Sequence, residues 1–115
     1  MARLLLLPFL ATSLRLVLDT DLGDDMDDTW ALSQLLQAED VDLRLVVTDS
    51  HGSEARAWVQ AKFLALAQRS VPAIAIGPRR AGRILLQGWA EASDLERFRG
   101  KVSHLDEGKS EADGN

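Results

Sequence analysis

The stretch Leu14-Arg15-Leu16-Val17-Leu18-Asp19-Thr20-Asp21-Leu22-Gly23-Asp24-Asp25-Met26-Asp27-Asp28-Thr29-Trp30-Ala31-Leu32 decides the fold. Leu14 to Leu18 is a short apolar run that suits a strand buried on both faces of a parallel sheet. It stops at Asp19, and from Asp27 to about Ala38 the apolar residues Trp30, Ala31, Leu35 and Ala38 recur at helical steps. A strand, a polar loop and a helix in that order make the first half of a β-α-β unit.

The same rhythm continues outward. Leu43 to Val47 reads as a second strand, and Ser53 is placed to cap a second helix running from Glu54 to Arg69. The apolar stripe of that helix is Ala55, Trp58, Val59, the Lys62 stem, Phe63 and Leu66, so Trp30 and Trp58 both read as core residues. Val71-Pro72 breaks the pattern, and Ala73 to Ile76 forms a third strand ending at Gly77-Pro78. The fold class is therefore α/β, a Rossmann-like parallel β-α-β-α-β unit with right-handed crossovers and one sheet edge uncovered. After Arg83 the regularity fades, and only Asp94 to Phe98 looks helical.

Composition limits the function. The 115 residues allow one domain, and 46% hydrophobic with 27% charged residues exclude a disordered polymer and a membrane protein. No segment is long enough to span a bilayer. A formal net charge of -5 argues against nucleic-acid binding. The absence of cysteine removes thiolate chemistry, and two histidines make a His-rich zinc site a poor fit. Six of the 18 carboxylates lie between Asp19 and Asp28, leaving 12 acids against 13 bases elsewhere.

The acidity is thus local to one loop at a strand's carboxyl end, where ligands of open parallel sheets bind. Like charges at that density call for a cation, and a hard divalent ion favours carboxylate oxygens. The alternative is a solvated acidic loop. An EF-hand starting at Asp19 needs an acid near the fifth position, Gly at the sixth and Glu at the twelfth, where Gly23, Asp24 and Trp30 stand. Asp24 and Asp25 read as solvated spacers.

Leu16-Val17-Leu18-Asp19-Thr20-Asp21 resembles the first motif of haloacid-dehalogenase-like phosphatases, which use magnesium. That family expects Thr or Val at Gly23 and gives no reason for Asp27 and Asp28. The stretch from Asp19 to Leu32 is more similar to the N-terminal motif of the inosine/uridine-preferring nucleoside hydrolase family, Asp-x-Asp-Pro-Gly-x-Asp-Asp followed by a helix. Leu22 replaces the Pro, and two extra residues separate Gly23 from the Asp pair. An ungapped match puts Met26 on a metal-ligand position, whereas anchoring on the helix start gives Asp27-Asp28. Bacterial members with a longer Asp-Asp-x-Asp-Asp version are closer still. The likeness continues through the second strand and helix, Val71 to Gly77, Gly88-Trp89-Ala90-Glu91 and Gly100-Lys101-Val102.

This resemblance implies hydrolysis of the N-glycosidic bond of a ribonucleoside, giving ribose and free base. It implies Ca2+ held by Asp21 and Asp28, with Asp21 also the catalytic base toward the calcium-bound water. Asp27 would hold a ribose hydroxyl, and Asp19 would fix the loop from behind the ligands. His51 is a substrate-contact candidate, although Gly52-Ser53 replaces the family's Gly-Asn there. Trp89 is placed either to stack on a base or to pack under a loop, and His104 and Asp106 carry only subfamily likeness.

The family domain is roughly two to three times longer, so the resemblance implies an N-terminal part, residues 14–107, with doubtful activity alone. A non-catalytic, metal-binding or interaction domain is the third reading, with the uncovered edge open to a second copy as a homo-oligomer. Residues 1–13 read as an N-terminal extension or a weak secretion signal, and 108–115 as a disordered tail. The expected location is cytoplasmic unless that signal acts.

Overall fold

Strand β1 (Leu14–Thr20) runs two residues beyond the apolar stretch, carrying Asp19 and Thr20 into the sheet. Helix α1 (Met26–Gln37), strand β2 (Val41–Thr48), helix α2 (Ser53–Leu66) and strand β3 (Ala73–Ile76) follow in the expected alternation. A 3-10 segment (Leu85–Trp89), a short helix α3 (Ser93–Glu96) and strand β4 (Val102–His104) complete the chain of elements. These come from a computed structural model that describes residues 13–68 and 72–105. Nearly all of the expected N-terminal extension, the tail, Val71 and Asp106 lie outside the described residues.

The four strands are parallel and stand in the order β1-β2-β3-β4. This is the α/β, Rossmann-like unit anticipated above, with one strand more. Strand β4 escaped the pattern reading because Val102-Ser103-His104 offers a single apolar residue and no period. Its pairing is set by long-range bonds, Ile74 N–H to Lys101 O at 2.8 Å and Leu105 N–H to Ile76 O at 2.8 Å.

Strands laid down in sequence order with right-handed crossovers place their helices on one face of the sheet. Register shows which face that is. Leu18, Val46 and Ile74 form one row, and Thr20, Thr48 and Ile76 the next. All of these pack into the core or are buried outright, with Leu32 of α1 and Ala57, Val59, Ala61 and Leu64 of α2. A register shift at Leu16/Val17 keeps the two strands in phase past Arg44.

The other face is thinly covered at β1, where Val17 is 59% exposed, although Ala75 of β3 is buried on it. Leu14, at the start of β1 on the core side, is 62% exposed, so β1 is not the strand buried on both faces that its composition suggested. Its place at the edge of the sheet is the reason. Trp30 is likewise exposed, at 62%, and is not a core residue. Helix α1 buries only Leu32 completely, so its stripe is narrower than the spacing implied. Trp58 does pack against the core.

Helix α2 starts differently from the expectation. Gly52, at φ 67°, takes the N-cap position. Ser53 does not cap the helix; its hydroxyl donates to Pro78 O at 3.1 Å, and its carbonyl accepts from the Thr48 hydroxyl at 3.0 Å. That pair of bonds ties the carboxyl ends of β2 and β3 to the start of α2. No helix among the described residues is long and apolar enough to cross a membrane.

Candidate metal and sugar site in the acidic loop

The loop between β1 and α1 is shaped from three sides. The Thr20 hydroxyl, buried at the strand end, accepts the Leu22 N–H at 3.2 Å and turns the chain back on itself. Leu22, which stands where the resembling family has Pro, is 1% exposed and packs in the main core. Gly23 follows at φ 130°, a conformation that other residues rarely adopt, and a Cβ there would press on Ile84 Cδ1 at 2.7 Å. Gly23 O then accepts the Leu86 N–H at 3.0 Å, docking the loop on the 3-10 segment.

The six carboxylates do not share one environment. Asp21 and Asp28 meet. Hydrogen-bonding contact with the Asp21 carboxylate pushes the Asp28 carboxyl above its ordinary value, burial adds to this, and the Thr20 hydroxyl opposes it. Asp27, in the same first turn of α1, contributes repulsion. The amino end of α1 favours both charges, with the modest strength of a helix terminus. Asp25 occupies the N-cap position without a side-chain capping bond.

Asp24 is a different case, and it is not a solvated spacer. Its Oδ1 accepts the Leu85 N–H at 3.0 Å, and its Oδ2 lies 2.7 Å from Arg56 Nη2. These bonds, with Arg56 and His51 adding attraction, hold the Asp24 carboxyl below the usual carboxylate range despite its partial burial.

His51 joins this second group rather than the first. Its Nε2 stands 3.7 Å from Asp24 Oδ2, and its Nδ1 lies 3.1 Å from Ser50 Oγ. Asp19 sits in β1 in register with Val47 and Ala75, exposed, on the face opposite buried Thr20. It makes no hydrogen bond to Asp21 or Asp28 among the described residues. His104 is exposed in β4.

Pattern reading missed Arg56, which is 0% exposed on α2. The trace of it in the sequence is its phase: Arg56 precedes Val59 and Phe63 by three and seven residues, so it lies in the apolar stripe. An arginine there must be paired.

As a cation site, the loop offers hard oxygen donors only, which matches calcium in kind. In number it falls short: Asp21 and Asp28 are two side chains, and calcium takes six to eight oxygens. Among the described residues no group of three or more His, Cys, Asp or Glu is arranged to hold a metal ion. Beside the loop lies an apolar pocket of about 220 Å3, lined by Thr29, Val59, Phe63, Leu86 and Trp89. Lys62 Nζ lies 5.7 Å from the centre of the Trp89 ring. A larger cavity of about 570 Å3, among Leu36, Glu39, Val41, Asp42 and Pro72, is at the opposite, amino end of the strands, away from these carboxylates. No protein-family model, curated protein or solved structure matches the chain.

Proposed function

We propose that the acidic loop is the calcium and ribose end of an N-glycosidase site that releases a free base from ribonucleosides. The observation that carries this reading is the Asp21–Asp28 carboxyl pair at the carboxyl end of β1, with Asp27 beside it. Two carboxyls in hydrogen-bonding contact are poorly stabilised without a cation, and a dication would let both ionise. Asp21 and Asp28 would hold calcium, with water and the sugar diol supplying further oxygens. When bound, that ion contributes positive charge that orients and acidifies a water and fixes the diol.

The chain's own groups then have separate tasks. Asp21 accepts the proton of the attacking water as its oxygen bonds to C1′, while the C1′–N bond breaks with its electron pair going to the base nitrogen, which takes a proton from solvent. Asp27 accepts a hydrogen bond from a ribose hydroxyl. The surrounding carboxylates favour the positive charge that develops on the sugar ring. The apolar pocket against Trp89 suits the flat face of a leaving base.

The test is calcium titration of the purified chain by calorimetry, followed by assays of ribose release from inosine, uridine and a nitrophenyl riboside. Asp28→Asn should weaken calcium binding by about 100-fold or more, since removing even an outer-shell group usually costs 10–100-fold. Ribose release that is indifferent to Asp28→Asn defeats the reading. Calcium binding without turnover assigns the loop to a non-catalytic metal-binding role. Magnesium-dependent release of phosphate from a nitrophenyl phosphate would instead assign Asp19 and Asp21 to a phosphatase.

A further inference from the structure

Arg56 touches none of the side chains assigned above to metal or sugar, yet all three of its guanidinium nitrogens are engaged in the interior. Nε donates to His51 O at 2.9 Å, and Nη1 donates to the carbonyls of Asp21 and Leu22, the latter at 3.1 Å. Nη2 donates to Asp24 Oδ2 at 2.7 Å. One side chain on α2 therefore grips the loop after β1 at three points, Asp21, Leu22 and Asp24, and the loop after β2 at a fourth. Burying a guanidinium is tolerable only with such a full set of acceptors. Asp24 alone would have answered its charge. The three carbonyl bonds go further and fix backbone.

The consequence falls on Asp21. Its carbonyl is held by Arg56, and the next amide, Leu22 N–H, is held by the Thr20 hydroxyl. With the peptide group after Asp21 pinned at both its oxygen and its nitrogen, the Asp21 side chain has little freedom to leave Asp28. A planar fork of five N–H donors can do this, whereas a lysine ammonium could not reach acceptors spread over two loops.

We infer that Arg56 is a positioning residue, which sets the geometry of the Asp21–Asp28 pair by clamping the loop backbone between them and α2. The inference rests on the proposed function for what is being positioned, but the clamping itself does not.

The full chain, calcium chloride and Arg56→Lys make the test, with two readouts. Calorimetry gives calcium affinity, and amide hydrogen exchange in the calcium-free protein gives loop order. The informative amides are Leu22, Leu85 and Leu86, held by Thr20, Asp24 and Gly23. Ile74, held by Lys101 O at the far end of the sheet, is the control. Arg56→Lys should lose about tenfold in calcium affinity and exchange the three loop amides about tenfold faster, with Ile74 unchanged. A folded variant with calcium affinity within about twofold of wild type overturns the inference. So does faster exchange at all four amides together, which would mark a general loss of stability. If the wild-type chain takes up no calcium, the proposed function falls, and the exchange pattern alone decides whether Arg56 clamps the loop. If Arg56→Lys does not fold, Asp24→Asn removes the charged acceptor while keeping an oxygen for Leu85. The same readouts and the same criteria then apply to it.

Discussion

Asp24, in the loop after β1, and Asp28, four residues on in the first turn of α1, meet opposite surroundings. Asp24 faces a buried guanidinium and a backbone N–H, which favour its charge. Asp28 faces another carboxylate and a second one nearby, which oppose it. Crowded acid therefore has two meanings in this chain. One part is structural, answered by Arg56 from thirty-two positions away; in the other, carboxylate faces carboxylate. Net charge and local density cannot separate the two, because both count a carboxylate without its partner.

The contrast can be broken most strongly at Arg56. Arg56→Met should lower stability in urea denaturation by about 2–3 kcal/mol, since it leaves Asp24 and three loop carbonyls without their donor. The loss stays below that of a wholly buried pair because the Asp24 side chain keeps 28% of its surface exposed. A loss under about 0.5 kcal/mol would mean that water satisfies these groups and that no structural half of the loop exists.

A neighbour on α2 sharpens the point. Gln60, one turn from Arg56 and equally buried, has neither its Oε1 nor its Nε2 hydrogen-bonded among the described residues. Gln60→Met keeps the volume and removes two unpaired polar atoms, so it should raise the midpoint of thermal unfolding, by about 1 kcal/mol of stability. Destabilisation would show that Gln60 finds partners in solution.

The smallest effects are those of pH, and they run in opposite directions at the two carboxyls. Asp24 titrates lower in the folded chain than in the unfolded one. Its stabilisation is complete above the ordinary carboxylate value and is lost as pH falls through its lowered one. Asp28 titrates higher when folded, so its favourable contribution exists below the ordinary value and disappears as pH rises through the raised one. In calcium-free buffer, Asp24→Asn should flatten the acid limb of the stability profile. Asp28→Asn should raise stability near neutral pH, by at most about 1 kcal/mol at such a partly exposed pair. Equal and parallel profiles for the two variants would erase the distinction between the carboxyls.

Much of the fold was legible because β1, α1, β2, α2 and β3 are written in contiguous residues. Apolar runs and helical spacing report burial within one element, and the loop's position beyond β1 follows from the order of elements. Trp30 misled for the same reason. Its spacing was right for a stripe, but a helix lying on one side of an edge strand buries less than a full stripe. Leu22 and Gly23 show the other limit. Leu22 departs from the resembling motif, and only its burial in the main core shows that it anchors the loop.

Residue order alone therefore established the parallel α/β class and the acidic loop at a strand's carboxyl end, and the family resemblance singled out Asp21, Asp27 and Asp28 as candidates. Tertiary structure decided which carboxylates are already answered, that Arg56 is the residue answering Asp24, and that β4 joins the sheet. The physical reason is range. Periodicity acts between neighbours along the chain, whereas charge pairing and strand pairing act between surfaces that only the folded chain brings together.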